Sequence, residues 1–86
     1  MKSFVLKENG AMIAVEPENG KTFSLKEMQK IVDGYIEVVG LRDGRIMVLN
    51  EEGKLKGMKL NEGATQMFGF DWVVGPVLVC PSEMME

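Results

Sequence analysis

Arg42 and Arg45 stand on either side of Asp43-Gly44. Two guanidiniums on one turn suit a phosphate or a carboxylate, because the planar fork of arginine grips two oxygens at once. The alternative is a solvated hairpin tip with Asp43 as counter-charge. Lys54 and Lys56, bracketed by Gly53 and Gly57, form a second basic pair. Glycines there could let backbone approach a ligand, but no Gly-Lys-Ser/Thr follows and no helix begins, so this is not a P-loop. The alternative is an edge strand protected by lysines. Phe68, Phe70, Trp72 and Tyr35 could line a pocket on which a base stacks. Trp72, beside Asp71 and after Gly69, is the aromatic expected to be partly exposed. The candidate ligand-binding set is Arg42, Arg45, Asn50, Lys54, Lys56 and Trp72.

Catalytic candidates are few. The chain has no histidine, which removes the commonest general acid/base near neutral pH and the commonest transition-metal ligand. Ser3, Ser24, Ser82, Thr22, Thr65 and Cys80 therefore have no imidazole to activate them. The paired carboxylates Glu51-Glu52 and Glu16/Glu18 fall in turns, where water solvates them. Asp43, Glu51 and Glu52 are a conceivable cation site, although nothing resembles a calcium loop. A single cysteine allows no internal disulfide and no cysteine zinc cage. No catalytic residue, metal or cofactor is assigned, and a non-catalytic protein is expected.

The formal charge of −3 comes without a basic run, so nucleic acid ranks below other partners. The apolar run near the start, Phe4-Val5-Leu6, is too short for a secretory segment. No run approaches the roughly 20 residues of a membrane span. A cytoplasmic protein without a membrane partner is the expectation.

The elements that must position these residues are marked by turn chemistry. Ser3–Lys7 and Ala11–Val15 flank Asn9-Gly10 and read as a hairpin. Phe23-Ser24-Leu25-Lys26-Glu27-Met28 carries a capping box, Ser24 with Glu27, and a hydrophobic staple, Phe23 with Met28. Leu25, Met28, Ile31 and Val32 share one helical stripe, and Gly34 stands where a left-handed C-cap residue is wanted. Tyr35–Leu41 and Arg45–Asn50 read as a second hairpin, in which a two-residue loop at Asp43-Gly44 sets Arg42 opposite Arg45. Lys54-Leu55-Lys56 reads as a short alternating segment with Leu55 inward. Asn61 can cap a short helix that Gly69 closes. Val73–Cys80 is a strand with Pro76 disturbing its start, apolar on both sides as a central strand would be. One domain over 1–80 and a disordered tail over 81–86 are expected.

Val38, Val39, Val48 and Leu49 put apolar groups on both faces of the second hairpin. A sheet with one wet face would alternate instead. Either helices cover both faces or a second subunit does, and a homo-oligomer is therefore expected. The order strand, strand, helix, strand, strand, short helix, strand is that of the β-grasp fold. The expected class is α+β, a small mixed sheet with one main helix and one short helix; a split βαβ unit or a small partly open barrel are the alternatives. β-grasp modifiers work through a C-terminal Gly-Gly, and Pro81–Glu86 offers none.

Gly34-Tyr35-Ile36-Glu37-Val38-Val39, Asp43-Gly44, Asn50 through Gly57, Asn61 with Ala64-Thr65, and Asp71 with Val74 through Val79 together resemble a small bacterial, phage and mobile-element family, domain of unknown function 3846. The resemblance covers about the last two-thirds of the chain, with the N-terminal hairpin and helix agreeing in character. It implies a setting in which small proteins act by stoichiometric binding, including inhibition of host defence. The family carries no established activity, so the residues, read in that setting, give two expected functions. The first is sequestration of a small phosphorylated, nucleotide-like ligand by the arginine and lysine pairs. The second is a protein-interaction module that inhibits or adapts a host protein through an exposed sheet edge or an acidic surface.

Overall fold

Two hairpins supply four of the five strands. In a computed structural model, which describes residues 2–86, β1 (Phe4–Leu6) pairs with β2 (Met12–Ala14), and β3 (Ile36–Gly40) pairs with β4 (Arg45–Asn50). Both turns use a glycine in the left-handed region, Gly10 at φ 90° and Gly44 at φ 89°. In each, the glycine amide donates back to the strand end, Gly10 to Lys7 O (2.9 Å) and Gly44 to Leu41 O (3.1 Å). These are three-residue loops with glycine in the last position. The expected facing of Arg42 and Arg45 is thereby corrected. Leu41 N–H donates to Arg45 O at 2.8 Å, and the ladder continues Val39–Met47, Val38–Val48, Glu37–Leu49. The extra loop residue separates two like charges that a two-residue loop would oppose.

β5 (Val77–Pro81) lies at the centre of the sheet, whose order is β2-β1-β5-β4-β3. The sheet is antiparallel throughout, where a mixed one was expected. The reason is the route of the chain. The helical crossover runs from one edge strand, β2, to the opposite edge, β3, so it joins no neighbouring pair in parallel. β5 then enters antiparallel to both of its neighbours. The sheet remains open, with β2 and β3 as edges, and does not close into a barrel.

Val77, Leu78, Val79 and Cys80 are all buried, at 1% exposure or less. Alternation along β5 sends Val77 and Val79 to one face, with Phe4, Leu6, Met47 and Ala64. Leu78 and Cys80 go to the other, with Phe23, Met28, Val32 and Val48. Burying each such aliphatic side chain contributes about 1.5–3 kcal/mol, so both faces must be covered. A helix covers each: α1 (Leu25–Val32) on the second face and α2 (Glu62–Phe68) on the first. These helices bury Val48 of the hairpin, while Val38 stays exposed and Val39 and Leu49 half-buried.

The capping box of α1 forms as expected, with Glu27 N–H donating to Ser24 Oγ (3.1 Å) and Ser24 N–H to Glu27 Oε1 (2.9 Å). Glu18 N–H donates to the second oxygen of Glu27 at 2.9 Å. The backbone donors of Ser24, then Glu18, hold this carboxyl below the usual glutamate range. Leu25, expected on the apolar stripe, is exposed, while Phe23 ahead of the cap is buried. The left-handed cap is Asp33 (φ 62°), not Gly34. Gly34 is needed for space instead, since a Cβ there would lie 2.7 Å from Asn50 Nδ2 and 3.0 Å from Lys56 Nζ. Only glycine leaves room for these side chains at the end of α1.

Asn61 caps α2, and Gly69 (φ 82°) closes it. Lys54-Leu55-Lys56 is a turn and not a strand. Its amides close locally, Lys56 to Glu52 O, Gly57 to Lys54 O and Met58 to Gly53 O, and Leu55 points out at 89% exposure. The expected disordered tail is corrected too. Ser82–Met84 forms a 3₁₀ turn, Phe23 N–H donates to Met84 O (2.7 Å), and Glu86 N–H donates to Phe23 O (3.3 Å). Met84 and Met85 pack against the Phe23 cluster, and that burial fixes the segment.

Asn61 is fully buried and serves three backbone groups. Its Oδ1 accepts from Ala64 N–H (3.1 Å), and its Nδ2 donates to Leu6 O (3.0 Å) and Gly75 O (2.9 Å). Each buried partner left unsatisfied costs about 1–3 kcal/mol. Asn61→Ala is therefore expected to lower the unfolding free energy by about 3 kcal/mol or more, read from urea denaturation. A loss no larger than that of an exposed helix cap would show that these bonds contribute little. Glu27 gives a pH signature. Its folded pKa is depressed, so its contribution is present above the ordinary value of about 4.3 and lost as pH falls through the lower folded value. Acid unfolding of Glu27→Gln should lack that part of the pH dependence.

Candidate functional site

α2 packs on one sheet face with Phe4, Leu6, Met47, Val77 and Val79, and part of that face beside β3 and β4 stays open. The uncovered part is a cleft of about 270 Å³. Val39 and Leu49 of β3 and β4 form its floor, Lys54 and Leu55 of the turn after β4 one wall, and Phe68, Phe70, Asp71 and Trp72 the other. Gly69 ends α2 in the left-handed region, and the chain doubles back through Phe70 and Trp72. Thr65 Oγ1 fixes the return, accepting from Val73 N–H at 2.8 Å.

Leu55, Phe70 and Trp72 are exposed at 89%, 73% and 52%. Three large apolar side chains thus stand exposed around one opening. Phe70 meets Phe68 edge-on at 5.5 Å between centroids, and the Arg42 guanidinium lies 5.7 Å from the Phe70 ring. Lys54 Nζ lies 4.4 Å from the Trp72 ring and pairs with Asp71 Oδ2 at 2.6 Å. That bond, then the Trp72 amide, holds the Asp71 carboxyl below its usual range.

The expected ligand set divides. Asn50, Lys54 and Trp72 line the cleft, and Arg42 reaches its rim over Phe70. Arg45 and Lys56 lie elsewhere. Arg45 folds onto its own turn, with Nε 2.8 Å and Nη2 2.7 Å from Asp43 Oδ2, which holds Asp43 below the usual carboxylate range. Lys56 Nζ donates to Asp33 O (3.4 Å) at the C-terminal end of α1, where the helix dipole favours a cation. Asn50, although it borders the cleft, is buried and structurally committed. Its Nδ2 donates to Val32 O (2.9 Å) and Asp33 O (3.2 Å), and its Oδ1 accepts from Glu52 N–H (2.8 Å). Tyr35 is exposed outside the cleft.

Sequence reasoning missed Glu37 and weighed Glu51 only as part of a cation site; both also line the opening. The signal was strand parity. Glu37 faces Leu49 in the ladder, and Glu51 N–H donates to Tyr35 O at 2.9 Å, so both carboxylates fall on the α2 face. With Asp71 they set three negative groups against two cations, the ammonium of Lys54 and the rim guanidinium of Arg42, one negative charge in excess.

Chemistry at the other candidates is limited by placement. Burial, with Glu83 nearby, pushes the Cys80 thiol up to about 11, so it stays protonated near neutral pH. Asp43 and Glu51 stand at opposite ends of β4, so Asp43, Glu51 and Glu52 do not converge on one cation. Among the described residues no helix is long and apolar enough to cross a membrane.

An open α+β domain, helix on each face and an aromatic cleft beside one sheet edge, is what fold and site define. The family model described as Domain of unknown function (DUF3846) matches residues 1–85, and the chain belongs to that family. No curated protein and no solved structure matches it.

The division of the candidate set has a measurable consequence. Asn50→Ala leaves two carbonyls and an amide without their partner, so it should lower the unfolding free energy by about 2–3 kcal/mol. Arg45→Ala should leave the urea midpoint unchanged, as exposed pairs contribute little. Equal midpoints for the two variants would mean that Asn50 is not the structural tie described.

Proposed function

We propose that this is a non-catalytic protein-interaction module that holds an extended segment of a partner along β3, with partner side chains in the adjacent cleft. One observation carries the reading: the exposed cluster of Leu55, Phe70 and Trp72 lies beside an unpaired sheet edge. Leu41 and Tyr35 bond to β4, and the antiparallel ladder alternates. The N–H and C=O groups of Ile36, Val38 and Gly40 therefore point away from β4. A strand added there gains backbone hydrogen bonds, and alternate side chains find the cleft. Holding a partner stoichiometrically suits the counter-defence setting that the family resemblance implies.

Sequestration of a phosphorylated, nucleotide-like ligand is the second reading. The exposed Trp72 ring, with Lys54 4.4 Å away, favours it. The surplus of carboxylates at the opening weighs against it, since phosphate would meet Glu37 and Glu51 there.

A random library of extended peptides panned on the protein, together with thermal shifts against cyclic and linear nucleotides, separates the two. Strand addition predicts enriched peptides whose affinity falls at least tenfold with Trp72→Ala and with Val38→Pro. The proline deletes an N–H that points outward, so the ladder itself is kept. Enrichment that survives Val38→Pro would rule out strand addition. A nucleotide that raises Tm while no peptide is enriched would favour sequestration.

A further inference from the structure

We propose that the segment held at β3 presents a lysine or arginine to the cleft, its cationic end received by Glu37 and Glu51 and its stem laid along Phe70 and Trp72. This rests on the strand-addition reading and adds the chemistry of the partner.

Charge at the opening favours a cation. Glu37 and Glu51 are exposed, share the α2 face, and stand diagonally across the β3–β4 ladder, where neighbours lie about 7–8 Å apart. Neither takes part in an ion pair among the described residues. Lys54, the cation that lines the cleft, is committed to Asp71, and Arg42 at the rim lies against the Phe70 ring, 5.7 Å from its centroid. A pair of like charges at an apolar opening costs stability in the free protein, and an arriving cation relieves it.

Shape agrees with charge. Lysine and arginine have an apolar stem and a charged head, and they lay the stem on apolar surface while the head reaches polar groups. Here the stem would meet aromatic faces, which also attract cations, and the head would meet carboxylates that can accept several N–H donors. A purely apolar side chain would bury the rim carboxylates without a partner, which is costly. An acidic one would add to the repulsion. A second copy of this chain is a poorer occupant, because it carries the same surplus and a net charge of −3.

Trp72 is the only tryptophan of the chain and lines the cleft, so its fluorescence reports occupancy. The probes are acetylated, amidated heptapeptides of the pattern Ser-Val-Thr-X-Thr-Val-Ser, with X as arginine, its neutral isostere citrulline, or glutamate. The arginine peptide should bind at least tenfold more tightly than the citrulline peptide, and the glutamate peptide most weakly. That preference should shrink in 0.5 M salt, because such pairs are screened, and vanish in Glu37→Gln/Glu51→Gln. Comparable binding of all three peptides overturns the cation inference and leaves strand addition standing. Tighter binding of the glutamate peptide overturns it as well. Failure of all three to bind overturns both, and the citrulline comparison needs no variant to be interpretable.

Discussion

Two buried asparagines hold the layers of this protein together. Asn50, at the end of β4, binds the last carbonyls of α1; Asn61, ahead of α2, binds the start of that helix, the end of β1 and the loop at Gly75. Each uses a side-chain amide to satisfy backbone groups that have lost regular partners, which buried polar groups require. Because the helices lie on opposite faces of the sheet, the two amides fix both covers relative to one core. The cleft follows from that arrangement. It is the strip of sheet that α2 leaves bare once Asn61 has set where the helix begins and Gly69 where it stops.

The electrostatics of the surface are equally local. One residue in the β3–β4 loop decides the fate of both arginines. With three loop residues, Arg45 turns onto Asp43 and Arg42 leans toward Phe70, and the paired guanidiniums that suggested an anion site are never opposed. The same register sends Glu37 and Glu51 to the cleft side. A surface that looked basic in the linear sequence is acidic at its opening, because side-chain direction alternates along a strand and is set by pairing, not by nearness in the chain.

Local signals were legible where they are complete within a few residues. The Ser24–Glu27 box, the Asn61 cap, the Gly69 stop and the apolar run of β5 all appear where the pattern placed them, and the order of elements is the expected one. What was illegible depends on contacts between distant segments. The direction of β5 relative to β1 cannot be read from either strand. Lys54-Leu55-Lys56 has the alternation of a strand but no neighbouring edge to pair with, so its backbone closes on itself. Pro81–Glu86 has the composition of a frayed end, yet Met84 and Met85 cover Phe23. In the site, Trp72 and its exposure were anticipated from its neighbours. Asn50 carried no local mark of burial, because its partners lie 17 and 18 residues upstream.

The strand at the middle of the sheet follows the other four in the chain. Until β5 is available, the two hairpins share no hydrogen bond, and each is too small to persist alone in water. Joining β1 to β5 closes a loop that spans most of the domain, and folding rates fall as such long-range closures dominate. During synthesis, then, the hairpins must wait for β5 to clear the ribosome, with apolar strands uncovered and open to chance pairing. Assembly should be abrupt and late, completed by a single insertion, and every natural or engineered change to residues 77–81 would act on the timing of that event as much as on the finished sheet.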